Sequence, residues 1–158
     1  MAIEIERKFL VEGDYKSLAS SSSRIRQGYL NNSEGRTVRV RTRDDKAYLT
    51  IKGPSKDNGL SRFEWEIEIP YADAVALLDL AISPIIDKTR FLVPYCGHVF
   101  EVDEFYGSNE GLTVAEVELG SADETFEKPE WLGEEVTSDR RYSNHQLSIH
   151  PYCEWRLD

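Results

Sequence analysis

Charged and apolar residues alternate along Val114-Ala115-Glu116-Val117-Glu118-Leu119, in the last third of the chain. Because a β-strand sends successive side chains to opposite faces, Glu116 and Glu118 share one face and the apolar residues share the other. The stretch therefore predicts a strand with one acidic face and one apolar face. Antiparallel sheets with one face in water commonly have this pattern.

Five further stretches repeat the alternation. They are Glu4-Ile5-Glu6-Arg7-Lys8, Val38-Arg39-Val40-Arg41, Leu49-Thr50-Ile51-Lys52, Phe63-Glu64-Trp65-Glu66-Ile67-Glu68 and Asp87-Lys88-Thr89-Arg90-Phe91. Two of the six stretches are acidic, three are mainly basic, and the N-terminal one mixes both signs. Either the charged faces contact solvent, or they line a polar interior that holds metal ions beside a highly charged anion. The segregation of signs favours the second interpretation, but spacing alone leaves both open.

The composition restricts the class of protein. The chain has 158 residues, of which 40% are hydrophobic and 30% are charged. These values are typical of a globular protein and predict one domain spanning residues 1–158. The formal net charge of −10 argues against nucleic-acid binding, which needs a basic surface. Because the basic residues are clustered, an anionic small molecule is not excluded.

The sequence predicts a cytoplasmic protein with no membrane contact. The charged residues of Glu4–Lys8 interrupt any signal-peptide-like apolar run, and no apolar run approaches the roughly 20 residues of a membrane span. Cys96 and Cys153 have no metal-ligand spacing, which indicates reduced thiols.

Turn residues between the alternating stretches predict a mainly antiparallel sheet. Strands are predicted at about Ala2–Val11, Arg24–Leu30, Thr37–Arg43, Ala47–Gly53, Arg62–Ile69, Asp87–Val93, His98–Phe105 and Gly111–Leu119. Helices are predicted at Asp14–Ser20, Pro70–Leu80, Ala122–Phe126 and Ser143–Ile149. Ser20–Ser23 is predicted to be a linker, and Gly53–Gly59 a hairpin loop, since it lacks the Gly-Lys-Ser/Thr of a P-loop.

The apolar faces of the strands must pack against other parts of the chain. The helix after Pro70 and the C-terminal segment are the candidates. Trp65 lies on such a face and is predicted to be in the core, and Trp131 is predicted to be a packing residue. If the sheet closes with its charges inward, it forms a barrel with a polar lumen. Such a lumen needs a ligand, because like charges repel and buried ions are costly.

The order of these motifs resembles one protein family. The start of the chain, Ile3-Glu4-Ile5-Glu6-Arg7-Lys8-Phe9-Leu10, resembles the N-terminal signature of the CYTH superfamily, the triphosphate tunnel metalloenzymes. Eight further blocks resemble family motifs in the same order: Arg26-Gln27-Gly28-Tyr29-Leu30, Val38-Arg39-Val40-Arg41, Thr50-Ile51-Lys52, Glu64-Trp65-Glu66, Lys88-Thr89-Arg90, Asp103-Glu104-Phe105, Glu116-Val117-Glu118 and Glu135-Val136-Thr137. The resemblance covers about residues 2–150, and the short chain is most similar to the single-domain bacterial members.

The resemblance implies an α+β fold: an eight-stranded antiparallel β-barrel, or tunnel, with a charged lumen and helices packed outside. In that tunnel, acidic residues bind Mg²⁺ or Mn²⁺ and basic residues hold a triphosphate. The implied metal ligands are Glu4, Glu6, Glu64, Glu66, Asp103, Glu116 and Glu118. The implied substrate-binding residues are Lys8, Arg39, Arg41, Lys52, Lys88, Arg90 and Tyr29. For Tyr29 and for Gln27 on the same strand face, a structural role is an equal alternative. The implied catalytic residues are Glu4, Glu6, Lys8, Lys52 and Lys88.

These residue types suit phosphate chemistry with a metal ion. Mg²⁺ prefers oxygen ligands and often takes a few carboxylates together with substrate phosphates. Arg offers a planar fork for phosphate, and Lys acts as a compact charge. The seven implied carboxylates outnumber the six implied bases, so an anion alone would bind unfavourably and divalent cations would restore the balance.

The resemblance implies hydrolysis of inorganic triphosphate to pyrophosphate and phosphate by in-line attack of water. An adenylate cyclase of the class IV type, a thiamine or nucleoside triphosphatase, and a non-catalytic polyphosphate-binding module stay open as alternatives. The motifs contain no aromatic pair or amide set to recognise a base or a thiazolium ring, which favours the inorganic substrate. Family analogy also suggests a homodimer.

Overall fold

The computed structural model of the chain describes residues 5–56 and 61–155. Its strands are β1 (Ile5–Val11), β2 (Ser21–Ser33), β3 (Arg36–Arg43), β4 (Lys46–Lys56), β5 (Ser61–Ile69), β6 (Ile86–Tyr95), β7 (His98–Phe105), β8 (Thr113–Leu119) and β9 (Leu132–Glu135). Its α-helices are α1 (Tyr71–Leu78), α2 (Asn144–Ile149) and α3 (Tyr152–Trp155), and 3-10 helices span Lys16–Leu18, Gly107–Asn109 and Arg140–Tyr142. Among these helices, none is long and apolar enough to span a membrane.

The chain divides into two compact units, called here unit A (residues 1–23 and 88–158) and unit B (residues 24–87). In unit A the strand order is β6-β7-β8-β1-β9, and in unit B it is β2-β3-β4-β5. The pairs formed within each unit are antiparallel, as the short turns between the strands predict. The prediction of one domain over residues 1–158 stays a prediction, because a compact unit of this size can be part of a domain.

Unit A has a core on one face of its sheet. The buried residues of this core include Phe9 of β1, Phe100 of β7 and Val117 of β8. Trp131 precedes β9, is 3% exposed and packs its ring edge-to-face against Phe100 at 5.5 Å between centroids, so its predicted packing role is confirmed. Because these strands alternate, the residues between the core positions point to the other face.

Unit B has its helix on the apolar face of the sheet. Pro70 precedes α1, where its missing N–H is not needed for a helical hydrogen bond. Ala74 and Leu78 of α1 pack with Val40 of β3 and Ala47 of β4 in a buried cluster. The predicted position of this helix outside the sheet is thus observed within unit B.

The helix leaves part of the apolar face uncovered, and the predicted core position of Trp65 is wrong. Phe63, Trp65 and Ile67 of β5 are 63%, 44% and 46% exposed. The predicted helix reaches Leu80, but α1 ends at Leu78 and has only eight residues. The partly buried residues that pack against the α1 cluster include Leu49 and Ile69 but none from the middle of β5.

Three other local predictions are wrong. Ser20–Ser23 is not a linker, because β2 already begins at Ser21 and Ser20 N donates a hydrogen bond to Leu92 O at 2.8 Å. The loop predicted at Gly53–Gly59 begins later, since β4 continues to Lys56; residues 57–60 lie outside the described part. Ala122–Phe126 is not helical.

The structure contains a ninth strand in addition to the eight predicted. β9 pairs with β1 through Phe9 opposite Glu135 and Val11 opposite Leu132. Arg7 donates two hydrogen bonds to the Glu135 carboxylate, at 2.9 and 2.6 Å. With four residues and no strict alternation, this strand has a weak sequence signal.

Candidate active site

A charged face lies in unit A, on the side of the sheet opposite the core. Its charged members come from β1, β6, β7 and β8: Glu6, Lys8, Lys88, Arg90, Glu101, Asp103, Glu116 and Glu118. The strand register places Lys8 opposite Glu116 and Glu116 opposite Glu101. It also places Arg90 opposite Asp103.

Lys88, Asp103 and Arg90 form a buried ionic network. Lys88 Nζ donates a hydrogen bond to Asp103 Oδ2 at 2.9 Å, and the Lys88 side chain is fully buried. Arg90 donates from Nε to Asp103 Oδ1 at 2.9 Å and from Nη2 to Oδ2 at 3.0 Å. Burial by itself would raise the pKa of Asp103, but the two cations hold that pKa below its ordinary value. Both oxygens of Asp103 are therefore bound by cations.

Arg90 also contacts Glu101, two residues before Asp103 on the same face of β7. Arg90 Nη1 lies 2.9 Å from Glu101 Oε2. Burial would lower the pKa of Arg90, but the hydrogen bond and charge of Asp103 and the charge of Glu101 raise it above its ordinary value. Glu101 is absent from the predicted site, although the spacing in Glu101-Val102-Asp103 could have identified it.

A cavity of about 260 Å³ opens beside this network, and four carboxylates contribute to its lining: Glu6, Glu101, Glu116 and Glu118. Desolvation in this environment raises the pKa of Glu6 to about 7, and the charge of Glu116, a hydrogen bond to it, and the charges of Glu118 and Glu101 add to the effect. The cavity therefore concentrates negative charge on the side of unit A that carries Lys8.

The C-terminal segment contacts both predicted catalytic lysines of unit A. Lys8 Nζ donates to the Tyr142 backbone carbonyl at 3.3 Å and lies 3.5 Å from Glu116 Oε1. Lys88 Nζ donates to Asn144 Oδ1, also at 3.3 Å. Tyr142 and Asn144 have no strand pattern, so the alternation of charged residues could not identify them.

Unit B carries a second charged face, on the side of its sheet opposite α1. Its charged members include the predicted site residues Arg39, Arg41, Lys52, Glu64 and Glu66. Arg39 Nη2 lies 4.0 Å from Glu66 Oε1, and Lys52 Nζ lies 3.9 Å from Glu64 Oε1. The side chains of Glu64 and Glu66 are 59% and 50% exposed. Arg39 Nε is buried without a hydrogen-bond partner among the described residues, which fits a side chain that binds a further polar group.

Tyr29 and Gln27 lie on this face of unit B. Tyr29 is 8% exposed and lies opposite Arg39 in the strand register. Gln27 is 1% exposed and its Oε1 accepts a hydrogen bond from Arg41 Nε at 3.1 Å. Both positions suit a structural role as well as a substrate contact, so the two alternatives stay open.

The structure places the predicted residues in two groups. Unit A holds Glu6, Lys8, Lys88, Arg90, Asp103, Glu116 and Glu118, and unit B holds Tyr29, Arg39, Arg41, Lys52, Glu64 and Glu66. Glu4 lies outside the described residues. The assignment of these residues as catalytic, substrate-binding or metal-binding stays a prediction.

The carboxylate oxygens on the charged face of unit A suit a hard divalent cation. Within residues 5–56 and 61–155, no three His, Cys, Asp or Glu side chains form a ready-made metal site. Mg²⁺, however, commonly uses only one or two carboxylates, and waters and substrate phosphates complete its coordination. Glu6, Glu116 and Glu118 line the acidic cavity and are the residues that would hold such an ion. Asp103 is less suited to bind a metal ion, because Lys88 and Arg90 already bind both of its oxygens.

Residues 2–148 match the CYTH domain family. The chain belongs to this family. It is 49% identical to the inorganic triphosphatase of Acetivibrio thermocellus, over 96% of this chain and 97% of that protein. It is also 36% identical to the inorganic triphosphatase of Nitrosomonas europaea, over 92% of this chain and 97% of that protein.

A solved structure extends the similarity to three dimensions. The crystal structure of the inorganic triphosphatase NE1496 is similar with a TM-score of 0.78 and 33% sequence identity, and the similarity covers 94% of this chain and 96% of that one. The predicted fold class is confirmed: the chain has the α+β, antiparallel fold of the CYTH family.

Proposed function

We propose that this CYTH protein is a divalent-metal-dependent triphosphatase that cleaves inorganic triphosphate to pyrophosphate and phosphate. The observation that carries the proposal is that Lys8 contacts Glu116 and Arg90 contacts Glu101, two of the four carboxylates that line one cavity on this sheet face. Bases that suit phosphate oxygens and acids that suit a cation are thus neighbours. The 49% identity to a protein named inorganic triphosphatase, over nearly the whole chain, supports the same substrate here.

The side chains of unit A have distinct roles in this proposal. Lys8 and Arg90 bind oxygens of the substrate and offset the charge that develops as the bond to the leaving pyrophosphate breaks. Asp103 holds Arg90 and Lys88 in fixed positions, so little reorganisation is needed during the reaction. A Mg²⁺ or Mn²⁺ ion held by Glu6, Glu116 and Glu118 would supply Lewis-acid polarisation of phosphate oxygens.

The test is a comparison of substrates with the purified protein. We expect kcat/KM to be highest for inorganic triphosphate, lower for ATP and thiamine triphosphate, and negligible in excess EDTA. Product analysis should find pyrophosphate and phosphate in equal amounts. Cyclic AMP formed from ATP would identify a cyclase instead. Binding of polyphosphate without phosphate release would identify a binding module.

A pair of variants tests whether the acidic cavity takes part. Glu116→Gln should lower kcat by about 100-fold or more, because it removes a carboxylate that faces both the cavity and Lys8. Glu110→Gln removes the same charge from an exposed position after a 3-10 helix and should leave kcat unchanged. Equal rates for the two variants would contradict a role for the cavity.

Other sequence-based expectations go beyond these observations. The cytoplasmic location, the absence of membrane and nucleic-acid partners and the homodimer stay predictions.

A further inference from the structure

Each of the three nitrogens of the Arg90 guanidinium contacts a carboxylate. Its Nε and Nη2 donate to Asp103, and its Nη1 lies 2.9 Å from Glu101 Oε2. The Arg90 side chain is only 19% exposed. A phosphate oxygen that binds Nη1 where Glu101 now lies must therefore displace the Glu101 carboxylate.

The two carboxylates differ in how firmly they are held. Asp103 is nearly buried and also binds the fully buried Lys88, so its departure would remove the carboxylate that neutralises a buried cation. Glu101 is 42% exposed, and ion pairs with exposed partners are weak. An incoming anion therefore displaces Glu101 at a much lower cost than Asp103.

Glu101 also has a place to move to. It lines the acidic cavity together with Glu6, Glu116 and Glu118. In the strand register it lies opposite Glu116, so a carboxylate released from Arg90 has a second position at the cavity that it already lines. A cation in that cavity would favour the second position, because it attracts a carboxylate released from Arg90.

We propose that Glu101 is a positioning residue that occupies Arg90 Nη1 in place of a phosphate oxygen and is displaced when a polyanionic phosphate binds. This inference rests on the proposed function for its ligand class. Glu101 acts as an intramolecular competitor, so an anion must bind strongly enough to replace it. The competition disfavours singly charged or short anions and favours a polyphosphate, and Glu101 thereby contributes to substrate selection.

The test is the affinity for tripolyphosphate in EDTA at low ionic strength, measured by calorimetry without turnover. The Glu101→Gln variant should bind tripolyphosphate about fivefold more tightly than the wild-type protein. This factor corresponds to the about 1 kcal/mol that a weak ion pair contributes. Glu101→Asp keeps the charge but shortens the side chain, and it should also bind more tightly. Glu110→Gln controls for net charge and should bind as the unchanged protein does. The increase should be at least as large for inorganic phosphate, because loss of the competitor relaxes the discrimination against short anions.

A double-mutant cycle assigns the effect to Arg90. In the Arg90→Gln background, the further change Glu101→Gln should give no increase in affinity. An equal increase in both backgrounds, weaker binding by Glu101→Gln, or no binding by any variant would overturn the inference. If the unchanged protein binds tripolyphosphate but releases no phosphate with Mg²⁺ or Mn²⁺, the proposed function fails, and the cycle still decides the role of Glu101.

Discussion

The two units carry the same residue types on their charged faces but pair them differently. In unit A, Lys88 and Asp103 are almost fully buried and 2.9 Å apart. In unit B, Lys52 and Glu64 are 3.9 Å apart, and the Glu64 side chain is 59% exposed. The same alternating sequence pattern therefore gives a tight ionic network in one unit and loosely matched charges in the other.

The neighbouring residues explain this difference. Asp103 lies on β7, which has β6 and β8 on either side within unit A. Its desolvation is offset by three hydrogen bonds from two cations. Glu64 lies on β5, which pairs within unit B only with β4, and it stays in contact with solvent. Burial, rather than residue type, thus distinguishes a fixed network from side chains that can rearrange around a ligand.

The largest expected effect is on the stability of unit A. Lys88→Met should lower the free energy of unfolding by about 3–5 kcal/mol, because it removes a partner from a buried ion pair and leaves Asp103 underneutralised. The measurement is urea unfolding at pH 7. Lys52→Met is the matched control in unit B and should cost less than about 1 kcal/mol, since its partner is exposed. Similar losses for the two variants would contradict the contrast between the units.

A smaller effect is expected where the C-terminal segment contacts the network. Asn144→Ala removes the amide oxygen that accepts from Lys88 Nζ. We expect a loss of about 1 kcal/mol in stability, a typical value for one hydrogen bond, and a lower kcat with little change in KM. The Asn144→Asp variant keeps a side-chain oxygen that accepts from Lys88 Nζ and should have most of the activity of the wild-type protein.

The matched control is another asparagine that anchors the same C-terminal region. Asn109 is 1% exposed, and its Oδ1 accepts from the Tyr152 backbone N–H at 2.8 Å. Asn109→Ala should reduce stability by at least as much as Asn144→Ala but leave kcat closer to that of the unchanged protein. If the two variants lose activity in proportion to stability alone, Asn144 has only a structural role.

Period-two alternation predicts the strands well, because it records which face of each strand is apolar. The predicted β7, His98–Phe105, agrees with the structure at both ends. The same pattern places Glu6, Glu116 and Glu118 on one face, which the structure brings to one cavity. It cannot predict β9, which has four residues and pairs with a strand far away in the sequence. Arg7 of β1 and Glu135 of β9, whose side chains form a hydrogen bond, are 128 positions apart.

Burial is the property that alternation does not determine. The same spacing places Trp65 and Val117 on apolar strand faces, but Trp65 is 44% exposed and Val117 is 1% exposed. The outcome depends on which element covers each face, and α1 is too short to cover the middle of β5. Contacts from irregular segments, such as Asn144 with Lys88, have no periodic signal at all.

The last expected effect concerns pH and distinguishes Glu6, which has acidic neighbours at the cavity, from Glu64 of unit B. The pKa of Glu6 is about 7 in the folded protein and 4.5 at its ordinary value. Between these values the folded state holds a proton that the unfolded chain has released, so stability falls as pH rises from about 4.5 to about 7 and then levels off.

Glu6→Gln removes this ionisation. In EDTA, its Tm should therefore exceed that of the unchanged protein at pH 8, and the difference should shrink at pH 5. Glu64→Gln, which removes an exposed carboxylate, should change Tm little at either pH. A Glu6→Gln variant with the same Tm deficit at both pH values would contradict a strained acidic cavity, because loss of packing does not depend on pH.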